Sequence, residues 1–237
     1  MLAADLTLAH LAAALAIIAC WFSYSFVLRT FARGSLNAQL ATVRRRWIER
    51  LTARTVKPFD AILLGQIINA VAFFGSATLL VFAGILTAFA NLTGVYATFE
   101  ALPLAAPISI ELFALQLAFL AFILSLSFFS FTYALRKLIY TLALTGALPD
   151  AGSAPGPEDD ELRAATAAVL SEAVKTFNFG IRGYYYAVAA LMMVVSPYAS
   201  LATTAVVTVV LFYRQLATPS AHAIRRYVDA LERDTLR

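Results

Sequence analysis

Residues 61–89 read AILLGQIINAVAFFGSATLLVFAGILTAF, a run without a single charged side chain. A helix crosses the hydrocarbon core of a bilayer with about 20 mostly apolar residues. The whole chain is similar in character, since 61% of its 237 residues are hydrophobic and 14% are charged, against about 45–50% and 25% in soluble domains. One water-soluble core could not bury that much apolar surface, so the sequence predicts an all-α integral membrane protein.

Five stretches are long and apolar enough to be membrane spans, within one membrane domain that covers residues 1–237. The predicted fold is therefore a polytopic bundle of five transmembrane helices. Pro197 separates the last two spans, and a four-span bundle with a re-entrant hairpin at Pro197 is the alternative. The five predicted spans are Leu6–Leu28, Ala61–Phe89, Ile108–Leu135, Phe177–Ser196 and Tyr198–Ala217.

The distribution of basic residues predicts the orientation of the bundle. All 18 lysines and arginines lie in 29–60, 136–182 and 214–237, whereas the segments 1–5 and 90–107 have none. Cytoplasmic loops are enriched in basic residues, so this pattern places the N-terminus outside and the C-terminus in the cytoplasm. The predicted cytoplasmic segments are 29–60, 136–176 and 218–237.

Basic and acidic clusters mark the predicted cytoplasmic segments. An amphipathic helix from residue 36 to 54, with a basic face, is expected on the anionic inner leaflet. Its charge either binds a specific acidic lipid or partner, or only sets the topology. Arg182, near the inner start of the fourth span, either contacts an anion or snorkels to the interface. The candidate anionic contacts are Arg44, Arg45, Arg46, Arg50, Arg54 and Arg182.

Two further cytoplasmic features have simple interpretations. The acidic run 158–161 is expected to cap a helix N-terminus, because it lacks the spacing of a calcium loop. The segment 221–236 carries Ile224, Val228 and Leu231 on one helical face. It is expected to form a short amphipathic helix that docks on the inner surface.

Polar residues inside spans are costly and are the first candidates for function. They form stripes on the second, third and fifth spans, and such stripes usually turn inward to pack helices together. The alternative role is a path for a polar solute or ion. The candidate intramembrane residues are Gln66, Asn69, Ser76, Gln116, Ser127, Ser130, Thr204 and Thr208.

The sequence shows no catalytic or metal-binding constellation. It has one cysteine, Cys20, and two histidines, His10 and His222, which the topology places on opposite sides of the membrane. A catalytic triad, a two-histidine zinc site or a haem between spans is therefore not expected. We expect no catalytic residue, no metal, no cofactor and no nucleic-acid partner.

Four stretches in order resemble the multispan membrane proteins catalogued as domain of unknown function 599. The family's pattern often has an arginine–asparagine pair after the glutamine of the second span, whereas this sequence has Asn69-Ala70 there. The resemblance implies a several-span helical protein, mostly of bacterial membranes, and implies no activity. The stretches are RRRWI (44–48), GSATLL (75–80) within 66–85, FFSF (128–131) before Leu135-Arg136, and GIRGYYY (180–186) before Ser196-Pro197.

These observations predict an integral membrane protein that serves as an accessory or scaffold component of a larger assembly. It would lie in the bacterial inner membrane, against an anionic inner leaflet, and would contact a membrane-protein partner or form a homo-oligomer. The alternative is a channel or transporter for a small polar solute or ion. A lipid-modifying enzyme is the least favoured prediction, because the sequence places no general base.

Overall fold

A computed structural model describes residues 5–32, 34–53, 58–101, 107–149 and 156–235. These residues form α-helices joined by short turns, and no strand occurs among them, which confirms the predicted all-α class. The helices are α1 (Leu8–Phe31), α2 (Leu36–Leu51), α3 (Pro58–Ala90), α4 (Leu92–Glu100), α5 (Ile110–Gly146), α6 (Asp159–Met192), α7 (Pro197–Leu216) and α8 (Pro219–Thr235).

Four described stretches are long and apolar enough to cross a membrane, which makes this a multi-pass membrane protein. They are Leu8–Phe31, Phe59–Ala90, Ile110–Gly146 and Pro197–Arg233, and they overlap the first, second, third and fifth predicted spans. The predicted fourth span lies in α6, which is not among them. Asn178 and Arg182 interrupt its apolar residues, so the count of five spans stays a prediction.

The described residues divide into two compact units, which are taken in turn. Unit 1 is drawn from Met1–Val27, Ser76–Phe129 and Phe179–Phe212. Unit 2 is drawn from Leu28–Gly75, Ser130–Asn178 and Tyr213–Arg237.

In unit 1, α6 and α7 form an antiparallel hairpin. The Ser200 hydroxyl donates to the Ala189 carbonyl at 2.8 Å, and the Tyr186 and Thr208 hydroxyls are 3.0 Å apart. Pro197 is the first residue of α7, where its missing N–H costs no helical hydrogen bond. The region is therefore two helices that fold back on each other, and one kinked helix across 177–217 is excluded.

Trp21 of α1 is the largest fully buried side chain of the described residues and lies in unit 1. Its ring stacks on that of Phe179 with 4.8 Å between centroids, and its Nε1 donates to the Phe179 carbonyl at 3.1 Å. A buried indole N–H needs such a partner. The contact fixes α1 against the first turns of α6 that belong to this unit.

The N-terminus of α5 also lies in unit 1. The Ser109 hydroxyl accepts from the Leu112 N–H at 3.2 Å, which caps the helix. Asp5 in turn accepts from the Ser109 hydroxyl and backbone N–H, each at 2.6 Å. These two hydrogen bonds hold the pKa of Asp5 below its ordinary value, because they stabilise the carboxylate.

Unit 2 is held by aromatic and polar contacts between distant segments. The rings of Phe74, Phe131 and Phe177 lie with centroids 5.6–5.9 Å apart. The Trp47 Nε1 donates to Asp60 at 2.7 Å, which ties α2 to the start of α3. The predicted C-terminal amphipathic helix is α8, and it packs against α2; Val228, on its predicted apolar face, is buried.

Gly183 permits the close approach of three helices in unit 1. A Cβ atom there would overlap the Ser127 hydroxyl of α5 and lie 2.7 Å from Trp21 Cζ2 of α1. In membrane proteins small residues let helix backbones approach in this way. Overpacking a well-filled core typically costs about 1–3 kcal/mol.

We therefore predict that Gly183→Ala lowers the free energy of unfolding by about 1–3 kcal/mol. Gly65→Ala is the matched control, because nothing lies within 4 Å of a Cβ at Gly65. Alanine is the better helix former, so the control should be neutral or stabilising. Thermal unfolding in one detergent measures both, and equal melting temperatures for the two variants would contradict the packing described.

Candidate functional site

The polar stripe of α7 turns inward, as expected. Ser200 and Thr204 are buried in unit 1. The Thr204 hydroxyl donates to the Ser200 carbonyl at 2.8 Å, and the Thr208 hydroxyl donates to the Thr204 carbonyl at 2.7 Å. These groups are satisfied by their own helix and by the α6–α7 contact. Their arrangement is that of helix packing.

The candidate residues of α5 have different surroundings. Ser127 is fully buried in unit 1, and its hydroxyl donates to the Ile123 carbonyl at 3.0 Å. Ser130 is half-buried in unit 2. Gln116 is 2% exposed, and neither its amide oxygen nor its amide nitrogen has a hydrogen-bond partner among the described residues.

Gln116 lines a partly open cavity of about 410 Å³ in unit 1. Its described walls are almost entirely apolar and include no charged side chain. Thr98 is the second polar residue in the wall, but its hydroxyl already donates to the Gly94 carbonyl at 2.9 Å. The lining residues are Val95, Thr98, Phe99, Phe113, Gln116, Leu117, Leu120, Ala190, Leu191 and Val194.

The polar stripe of α3 points outward, contrary to the expectation that it turns inward. Gln66, Asn69 and Ser76 are all exposed. The opposite side of α3 is buried. Its buried residues recur every seven positions, which is about two turns of the helix. The buried residues are Leu64, Val71, Thr78 and Ile85.

The predicted basic amphipathic helix exists as α2, but its arginines do not form one free surface. The Arg44 guanidinium donates to the Ser171 hydroxyl of α6 at 3.2 Å, and burial lowers its pKa. Arg45 and Arg46 pair with Glu49 at 3.1 and 2.9 Å. Arg50 is exposed. Arg54 lies outside the described residues.

The acidic run lies at the N-terminus of α6, whose first turn contains Asp159, Asp160 and Glu161. The Asp159 carboxylate accepts from the Gly156 N–H at 3.1 Å. Arg163, one turn later, lies 3.5 Å from Asp159 and 3.3 Å from Asp160. In the part of the chain that the structure describes, no group of three histidine, cysteine, aspartate or glutamate residues could hold a metal ion.

Arg182 is turned into unit 1 and is 6% exposed. Its Nη2 donates to the Ser25 hydroxyl at 2.9 Å. Its guanidinium carbon lies 4.8 Å from the Tyr24 ring centroid and 5.7 Å from that of Phe179. It makes no ion pair with any described residue, and its buried Nε is unpaired. Aromatic faces thus stand where a carboxylate would be expected.

Sequence reasoning missed two of these features. The outward position of the α3 stripe was readable in principle, since Ile62, Gln66, Asn69 and Phe73 recur at alternating spacings of four and three residues. That spacing is typical of a seam between two helices. The cavity beside Gln116 left no such signal, because α6, which forms part of its walls, is distant in sequence from α4 and α5.

The fold defines the class of this protein, which is an all-α, multi-pass membrane protein. Its described candidate sites are built from aromatic, hydroxyl and amide side chains. Residues 12–220 match the family model described as "Protein of unknown function, DUF599". The chain therefore belongs to this family, as its sequence motifs predicted. No curated protein and no solved structure matches the chain significantly.

The surroundings of Arg182 predict that methionine is a less destabilising replacement than lysine at this position. Arg182→Lys should destabilise the protein by about 1–3 kcal/mol, because a compact ammonium ion loses the planar stacking on Tyr24 and Phe179 and stays buried. Arg182→Met should be tolerated better, because it fills similar space without a buried charge. Thermal unfolding of both variants in detergent measures this. A lysine variant as stable as the native protein, or more stable than the methionine variant, would contradict this reading.

Proposed function

We propose that this protein is an accessory or scaffold component of a larger membrane assembly. The observation that carries the proposal is the outward polar face of α3, defined here by Ile62, Gln66, Asn69 and Phe73. All four side chains are exposed. We call these four residues the α3 face.

The amides of the α3 face have no partner among the residues that the structure describes. Neither Gln66 nor Asn69 makes a side-chain hydrogen bond to any described residue. Both lie within the predicted second span, where lipid supplies no donors or acceptors. An amide left without a hydrogen bond in an apolar medium costs several kcal/mol. A partner at this face would remove that cost.

The spacing of the α3 face supports a helix as that partner. Residues four and three apart fall on one stripe of a helix, as in the seam of a coiled coil. Amide side chains hydrogen-bond across such seams in membranes, at about 1–2 kcal/mol each in model peptides. Ile62 and Phe73 flank the amides with apolar surface, which favours a dry contact.

The chemistry of the α3 face favours an uncharged partner. Each amide offers both donors and an acceptor, and no charged side chain belongs to the face. We therefore propose that the occupant is a transmembrane helix of another membrane protein, with amide or hydroxyl side chains at the same depth. A second copy of this chain is the competing occupant that the test must separate.

The proposed setting is the bacterial inner membrane, with the N-terminus outside and the C-terminus in the cytoplasm. The restriction of all 18 basic residues to three segments supports this orientation. A channel or transporter is not part of the proposal, because the hydroxyls of α7 and the Ser127 hydroxyl bond to their own helices. The proposal includes no enzymatic step.

Site-specific photocrosslinking in cells tests the proposal. A photoreactive amino acid at Ile62 or Phe73 should give one discrete adduct with the same second membrane protein. At Leu64 or Val71, which are buried on the opposite side of α3, it should give none. The double variant Gln66→Leu/Asn69→Leu should lose most of the adduct, and co-purification of that identified protein in mild detergent, because the interhelical hydrogen bonds are gone.

Two results would overturn the proposal. One is an adduct that contains only this chain, which would assign the α3 face to a homo-oligomer. The other is no adduct at either exposed position. The melting temperature of the double variant serves as the folding control, since removal of exposed amides should leave the fold intact.

A further inference from the structure

We propose that the cavity between α4, α5 and α6 in unit 1 binds an uncharged, lipid-like molecule. Such a ligand is a hydrocarbon chain or ring with one carbonyl or hydroxyl group, which hydrogen-bonds to Gln116. The proposal is independent of the α3 face, because it rests on other residues and on another kind of partner.

The amide of Gln116 has unmet hydrogen-bonding capacity. Its side chain is 2% exposed, and both polar atoms of its amide are buried without a partner in the described chain. Most buried polar groups in proteins are paired, so an unpaired amide needs a specific explanation. A ligand hydroxyl would accept from the amide nitrogen and donate to the amide oxygen, and a carbonyl would use the nitrogen alone.

The size and apolar lining of the cavity beside Gln116 suit a small ligand. A volume of about 410 Å³ is within the range of small-molecule sites. Such sites are mostly apolar, with a few polar groups that fix the orientation of the ligand. The Thr98 hydroxyl already uses its proton within its own helix. Gln116 is therefore the described polar group in the wall that can still offer a ligand both a donor and an acceptor.

The absence of charge in the walls decides the ligand class. Among the residues that the structure describes, no arginine, lysine or histidine lines this cavity. A carboxylate or phosphate moved into it would lose its hydration without a compensating cation. An uncharged head group avoids that loss, whereas the rings of Phe99 and Phe113, stacked at 5.4 Å, offer apolar surface to a chain or ring.

The test is equilibrium photolabelling of the full-length protein in nanodiscs of synthetic phosphatidylcholine. The ligand used is a photoactivatable analogue of hexadecanol, and the matching hexadecanoic acid at pH 8 is the charged comparison. We expect saturable labelling by the alcohol, mapped by mass spectrometry to the lining residues, and at least tenfold weaker labelling by the ionised acid.

Variants of the wall then test the role of Gln116. Gln116→Leu should weaken binding of the alcohol about tenfold, because the hydrogen bond is lost. Leu120→Trp should abolish labelling by filling the cavity. Gln39→Leu is the matched control: it also removes a buried, unpaired amide oxygen, but in α2 of unit 2. Labelling of this control should equal that of the native protein.

Stability separates a ligand-binding glutamine from a structural one. Without ligand, Gln116→Leu should raise the melting temperature, because an unpaired amide leaves an apolar site. Binding and stability should therefore change in opposite directions. Unchanged labelling of Gln116→Leu, equal labelling by the ionised acid, or adducts outside the lining residues would each overturn the proposal.

Discussion

Lipid offers no hydrogen bonds, and this constraint organises the molecule. Every polar side chain at membrane depth must find its partner in its own helix, in a neighbouring helix, or in another molecule. Thr204 and Thr208 take the first solution, since their hydroxyls donate to carbonyls one turn earlier. Trp21 and Ser200 take the second, because they donate to carbonyls of another helix in unit 1. These residues are polar in sequence but serve packing.

Arg182 is a charged side chain whose described contacts all lie within unit 1. A guanidinium in the interior of a bundle would ordinarily need a carboxylate. In unit 1 it has one hydroxyl and two aromatic faces instead. The absence of a Cβ on Gly183, its neighbour in sequence, lets α1 and α5 approach this turn of α6. The glycine and the arginine of the GIRG motif thus make one packing site.

Three amides in the predicted spans, those of Gln66, Asn69 and Gln116, have no hydrogen-bond partner among the described residues. Gln116 is buried and unpaired beside a cavity, whereas Gln66 and Asn69 are exposed and unpaired on α3. The first arrangement suits a small ligand that enters the protein, and the second suits a helix that covers its surface. One physical principle therefore leads to two different partners, and the burial of each amide decides which.

The sequence predicted the helical class and the family, because long apolar runs and the order of motifs are local properties. It also predicted a break at Pro197, which is the first residue of α7, because proline disrupts a continuous helix. The direction in which a polar stripe faces was harder to predict from the sequence. Ser127 and Asn69 are both polar residues in apolar helices, yet Ser127 is buried and Asn69 is exposed. In the sequence, only the spacing of the residues around Asn69 indicates that difference. Two partners of Arg182, Ser25 and Tyr24, come from a helix more than 150 residues away, which no local pattern encodes.

The need of the α3 amides for a partner depends on their lying at the depth of the hydrocarbon. A nitroxide spin label at Asn69, in a Cys20→Ala background reconstituted into vesicles, measures that depth by collision with molecular oxygen and with a water-soluble nickel chelate. Oxygen partitions into the bilayer, so we expect strong relaxation by oxygen and little by nickel, in contrast to a label at His222. Relaxation by nickel at Asn69 equal to that at His222 would place the amides in water, where they need no partner, and would contradict the account.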